Sequence, residues 1–327
     1  MAHSKSNYTA AADVFDGWKD EVLTGSPPTF YPIGSGELAR IEIGPGLVTL
    51  LGGAPGAGKT AFVMQAVVDA LRLVPALRAL VCNVEMPPKV LLDRQLARLS
   101  GIDLDTIRYR RLTAEHAERI DQAMHTLEPL TDRLAFVRPP FNLENVAASA
   151  DGFRADMIVL DYLQRIPPPG EHADKRVAVN ATMDYLRQFA DAGVAVLVVA
   201  AVGRTKDNKG RSSYSGDGLN LASFRESSEL EFGADDCFIA VPSEDGGEYG
   251  AVAVTLRHLK ARHTRAQDLT LEFDGRVQRF SEAADPQTWN PDRPGKPPRG
   301  RLQSALASAW AKTPPAEADA DQGAESW

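Results

Sequence analysis

The segment that most constrains this chain is GGAPGAGKT, Gly52 to Thr60, which stands between the apolar run Leu47 to Leu51 and the helix-period stretch AFVMQAVVDAL. Strand, glycine-rich turn and helix follow in the order that G-x-x-x-x-G-K-[ST] requires, through Gly53, Gly58, Lys59 and Thr60. The glycines let backbone N–H groups curl around a phosphate, and the helix amino terminus adds the positive end of its dipole. Lys59 then reaches the outer phosphates and the Thr60 hydroxyl is a ligand for Mg²⁺. The predicted cradle is Gly53, Ala54, Pro55, Gly56, Ala57, Gly58, Lys59, Thr60 and Ala61, and the predicted ligand is ATP with Mg²⁺.

From about Leu47 to Phe280 short β-branched runs alternate with helix-period segments, the pattern of a mostly parallel sheet flanked by helices. Predicted strands are Leu47 to Leu51, Ala79 to Val84, Leu134 to Val137, Met157 to Leu160 and Val194 to Ala200. Cys237 to Val241, Ala251 to Leu259 and Leu269 to Phe273 follow one another without helices, which predicts an antiparallel edge. The expected organisation is an amino-terminal helix and connector over residues 1–40, an α/β core over 41–282 and a Pro/Ala-rich, disordered tail over 283–327. Val14, Phe15, Trp18 and Val22 share one face of the amino-terminal helix, which wants an apolar partner: a second subunit or its own core.

Composition excludes several classes. The longest apolar stretch, Val194 to Val202, falls far short of the roughly 20 residues of a membrane span. The amino terminus has no apolar core of the secretory kind, so a cytoplasmic protein is expected. Cys82 and Cys237 sit in strand-like runs, which argues against a disulfide, and the histidines form no zinc-ligand spacing. The net charge of −8 argues against indiscriminate polyanion binding and leaves room for a local basic channel.

Nucleotide chemistry needs further carboxylates. Asp161 ends the apolar run MIVLD and fits the metal-shell role, and Glu85, leaving ALVCNVEMP, fits the base that orients an attacking water. Open α/β sheets bind ligands beyond the carboxyl ends of their strands, where Gly53, Glu85 and Asp161 are expected to converge.

These stretches, in order GAPGAGKT, VEMPPKVLLDRQLARLSGID, IVLDYLQ, RESSELEFGADD and LKARHT with LTLEFDGRVQRF, resemble the carboxyl-terminal motor domain of DnaB-type replicative helicases, ring ATPases of the RecA fold. The resemblance implies an ATP-driven DNA helicase or translocase of 5′ to 3′ polarity that forms a homo-oligomeric, hexameric ring on single-stranded DNA, with a loader or primase as further partners. It implies that Lys260 and Arg262 reach into a neighbouring subunit's site and stabilise charge on the transferring phosphoryl group. It places DNA contacts at Arg225, Glu226 and Ser228; the family has glycine at the last position. A second DNA loop, RTKDNKGRSSYSGDG, offers Arg204, Lys206, Lys209 and Arg211 for a strand's phosphates, or is simply a solvated charge loop.

Two departures from the family stand out. Ala201 occupies the place of a glutamine that senses the γ-phosphate, and only about 40 residues precede the core where the replicative enzymes carry a collar domain. A motor serving a plasmid, phage or other mobile element accommodates the second. The first favours an alternative: a RecA-like ATPase that assembles and switches without unwinding DNA.

Overall fold

The computed structural model describes residues 8–170, 175–203, 205–206, 212–213, 220–224, 233–243 and 251–282. They fall in two compact units, divided after Phe30. The first holds helix α1 (Ala11–Thr24), whose first turn is closed by the Asp13 carboxylate accepting the Ala10 N–H. Val14, Phe15, Trp18 and Val22 are each more than half exposed, with the Phe15 and Trp18 rings 5.6 Å apart.

The second unit is built on a nine-stranded sheet in the order β11-β10-β9-β8-β1-β5-β4-β2-β3. Its parallel part comprises β1 (Val48–Gly53), β2 (Ala79–Asn83), β3 (Leu134–Phe136), β4 (Met157–Asp161) and β5 (Ala195–Ala201). Every residue of β1, β2 and β4 is buried, as strands covered on both faces must be. β8 (Asp236–Pro242) runs parallel to β1 and antiparallel to β9 (Ala251–Ala261), and β10 (Leu269–Asp274) and β11 (Arg279–Glu282) complete the antiparallel edge. A separate hairpin pairs β6 (Thr205–Lys206) with β7 (Ser212–Ser213).

One face is covered by α2 (Lys59–Leu73), with α3 (Pro88–Ser100), α4 (Leu104–Arg108) and α5 (Ala117–Leu127) beside it; the other face carries α6 (Leu143–Phe153) and α7 (Lys175–Asp191). Helix boundaries follow local chemistry. Proline opens α3 and Gly101, in the left-handed region, closes it; Asp103 and Asn142 side chains cap α4 and α6. α2 is buried from Ala61 to Leu71, and the polar residues in that stretch are matched inside: Gln65 exchanges hydrogen bonds with the Phe280 backbone, and Asp69 meets Arg98 at 2.9 Å. The first of these ties β11 to α2, which explains a strand the apolar pattern alone does not announce.

Among the described residues no helix is long and apolar enough to cross a membrane. The strand ends differ from the sequence reading by at most two residues, and β6, β7 and β11 are additional. Arg204, Lys209, Arg211, Arg225, Glu226, Ser228 and the tail lie outside the described residues, and of Lys206 only the backbone is described.

Candidate nucleotide site

β1 ends in Gly53, and the loop to α2 turns through left-handed glycines: Gly56 at φ 83° and Gly58 at φ 79°. An L residue at Gly58 would also place its Cβ 2.8 Å from the Phe280 ring. Lys59 folds back over the loop it follows, its Nζ donating to the carbonyls of Gly53 at 2.9 Å and Ala54 at 2.8 Å. Burial lowers its pKa, against the opposing pull of Asp161 and Glu85.

The Thr60 hydroxyl donates to Asp161 Oδ2 at 2.7 Å, so the start of α2 and the end of β4 meet in one contact. The same oxygen accepts Asn83 Nδ2 at 2.6 Å, and Asn83 Oδ1 accepts the backbone N–H groups of Glu85 at 3.0 Å and Met86 at 2.7 Å. Asn83 thus joins the Asp161 carboxylate to the turn that presents Glu85. Burial raises the Asp161 pKa above the usual carboxylate value; the Thr60 hydrogen bond opposes the shift and Glu85 adds to it. The neighbouring Cys82 thiol is pushed up to about 12, by burial first and by Asp161 second.

Lys59, Thr60, Glu85 and Asp161 line a cavity of about 520 Å³ together with Pro55, Gly56, Arg94, Ala201, Phe273 and Gln278. Arg94 Nε is buried without a hydrogen-bond partner; burial lowers the pKa of its guanidinium while Asp161 opposes the shift, so the group keeps a donor for a second anion. Phe273, stacked at 4.5 Å on Phe280, gives the cavity an aromatic wall. A larger cavity of about 650 Å³ lies beyond Glu85 against β3; among the described residues Arg138 is the one cation in its largely apolar lining, which suits a polyphosphate poorly. The Thr60 hydroxyl and the Asp161 carboxylate are hard oxygen donors that fit a Mg²⁺ shared with phosphates, and the described residues hold no cluster of metal-ligating side chains of another kind.

Ala201 ends β5 at the cavity wall, with its N–H accepted by Gln164 Oε1 at 3.1 Å. Lys260 and Arg262 lie elsewhere. Lys260 pairs with Cys237 at the start of β8, and the Arg262 N–H reaches the Asp235 carbonyl, whereas Gly53 is in register with Ala240. That separation along the strand is on the order of 17 Å, toward the opposite end of the sheet from the phosphate loop. Sequence reasoning assigned no role to Asn83, nor to Arg94, which lies within the family-like stretch VEMPPKVLLDRQLARLSGID. The signal for Asn83 was there, a polar residue closing an apolar strand two positions before Glu85.

The family model for the DnaB-like helicase C terminal domain matches residues 43–282. The chain belongs to that family. Its fold is that of a solved ATPase domain of another protein, with a TM-score of 0.71 at 17% identity over 84% of this chain and 99% of that one. It is equally similar to a DnaB-like replicative helicase whose structure was solved with attention to its interactions with primase: TM-score 0.70, 16% identity, 86% of this chain and 68% of that one. No curated protein matches the chain. The mostly parallel sheet with an antiparallel edge, expected from the sequence, is the family's architecture.

Proposed function

We propose that this DnaB-family chain is an ATP-hydrolysing DNA motor whose sites are completed between copies of itself in a ring, its motor spanning residues 41–282. The observation that carries the reading is the split between two sets of residues. Lys59, Thr60, Glu85, Arg94 and Asp161 surround one cavity, while Lys260 and Arg262 stand at the far end of the same sheet. Cations so placed serve a neighbour's site, and hydrolysis then depends on assembly.

In this reading the loop N–H groups and Lys59 bind the phosphates, Arg94 supplies a further cation to them, and Phe273 and Gln278 face the base. Glu85 accepts a proton from the attacking water, held for that task through Asn83. Mg²⁺, held through Thr60 and Asp161, would neutralise charge on the phosphates. The apolar stripe of α1 packs on a second copy. Single-stranded DNA passes the RES-containing loop, on the family resemblance, and the basic loop, on its local excess of Lys and Arg; the polarity is 5′ to 3′ by the resemblance. By the same resemblance a primase or loader is a partner; the reading extends to the replication of a plasmid, phage or other mobile element and to a cytoplasmic setting.

Ala201 supports a second reading, an ATPase that assembles and switches without unwinding, because a methyl group at the cavity wall has no polar atom to sense a phosphate. ATP turnover at low salt with Mg²⁺, without DNA and with single-stranded or duplex DNA, across protein concentrations, separates the two. Stimulation by single strands that rises cooperatively with concentration is expected of the motor. Turnover indifferent to DNA transfers the assignment to the switch, and none under any condition overturns both.

A further inference from the structure

A bulge sets the position of Lys260 and Arg262. The β8–β9 register shifts between Cys237 and Phe238, opposite Lys260 and His258, which leaves Leu259 as an extra residue on β9. The two cations follow it, two residues apart and on one side of the strand. Both are tied to the residues that lead into β8. Lys260 Nζ donates to the Ala234 carbonyl at 2.8 Å, the Arg262 N–H donates to the Asp235 carbonyl at 2.9 Å, and Arg262 Nη1 meets Asp235 Oδ1 at 2.9 Å.

Asp235 is built for more than one partner. Its side chain is 1% exposed, and Oδ2 accepts the Val48 N–H at 2.8 Å and Arg187 Nη1 of α7 at 2.6 Å. Oδ1 serves Arg262, with His263 Nε2 at 3.7 Å. A buried carboxylate held by Val48 and Arg187 stays satisfied if Arg262 shifts, so the pairing can adjust without leaving a bare charge inside the protein. The Arg262 side chain is 40% exposed even with Nη1 engaged, so it lies at the surface and not inside the sheet.

We infer that Asp235 is a positioning residue for the reaction: braced by Arg187, it holds the Arg262 guanidinium in place at the surface, where the phosphates of the neighbouring copy would meet it. The inference rests on reading Arg262 as the residue that completes a neighbour's site. A flexible arginine would lose its rotamer freedom on reaching a phosphate; the grip on Asp235 removes that freedom beforehand.

Asp235→Asn keeps an oxygen for the Val48 N–H and removes the charge. It is expected to lower single-strand-stimulated ATP turnover by about tenfold, the worth of one charge-assisted hydrogen bond, with the Kd for ATP unchanged. In an Arg262→Ala background, read on its residual turnover at high enzyme concentration, the same substitution is expected to do nothing further, since the group it positions is gone. An Asp235→Asn effect equally large in both backgrounds would mean that Asp235 only supports the fold, and the inference would be overturned. Full turnover in Arg262→Ala alone would instead remove the reading of Arg262 on which it rests. If Asp235→Asn shows no cooperative melting transition, Arg187→Gln replaces it in the same cycle: loss of its effect in the Arg262→Ala background supports the positioning role, and additivity refutes it.

Discussion

Alanine at Gly58 and alanine at Gly56 test the phosphate loop by the same chemical change in two surroundings. Both glycines are left-handed, at φ 79° and 83°, so each substitution carries about 1–2 kcal/mol of backbone strain. Each also restricts the unfolded chain by a similar amount, which cancels in the comparison. The difference lies in space. A Cβ at Gly56 meets nothing within 4 Å, whereas one at Gly58 falls 2.8 Å and 3.1 Å from Phe280 and 3.2 Å from Phe273, two rings already stacked on each other. Phe280 is also packed edge-on against Phe62 and held through its backbone by Gln65, so it yields at the expense of core contacts that add about 1–3 kcal/mol. Gly58→Ala is therefore expected to cost about 2–5 kcal/mol against about 1–2 for Gly56→Ala. For a domain of this size that is a fall in Tm of roughly 4–20 °C against roughly 2–8 °C. Thermal unfolding of the nucleotide-free proteins measures both. Equal Tm values for the two variants would refute the crowding argument and the placement of the Phe273–Phe280 pair behind the loop.

Three further outcomes follow from the buried charges and the charge balance. Because burial raises the folded-state pKa of Asp161, the stability its carboxyl contributes is complete below the unfolded value and is lost as pH rises through the raised one. Asp161→Asn should therefore gain in Tm relative to the parent on going from acid to neutral pH while losing Mg²⁺-dependent turnover, and a pH-independent Tm difference would contradict this. Arg98→Met strands the Asp69 carboxylate, leaving it the half-exposed Arg72 at 3.1 Å; urea unfolding should show a loss of about 3 kcal/mol, largely recovered when Asp69→Leu is added. Binding of single-stranded DNA should fall steeply with salt, since a chain of net charge −8 depends on localised Lys and Arg contacts, and salt-insensitive binding would remove the basic-channel reading.

The phosphate loop was legible because its spacing reflects a local requirement: consecutive backbone N–H groups, a lysine and a hydroxyl within one turn of a helix start. The central strands were legible for a similar reason, as continuous apolar runs such as Val194 to Ala200 are what two-sided burial demands. β11 was not, since Arg279–Glu282 carries no strand pattern and is held by pairing with β10 and by Gln65 from across the chain. Convergence of Glu85 and Asp161 could be expected from strand ends, but their linkage through Asn83 depends on β2 and β4 being neighbours in register, Asn83 opposite Asp161. Asp235 was least visible: its partners Val48, Arg187 and Arg262 are scattered through the sequence, and only the sheet brings them to one carboxylate.

In the proposed ring each hydrolytic site takes Lys59 from one copy and Arg262 from the next. Mixing Lys59→Ala with Arg262→Ala tests it, because each variant alone lacks one half of every site. Equal mixing should restore ATP turnover to on the order of a quarter of the parent's, since about that share of head-to-tail interfaces joins an intact Lys59 to an intact Arg262. A mixture as inactive as its two components, under conditions where the parent assembles and turns over, would contradict a site shared between copies.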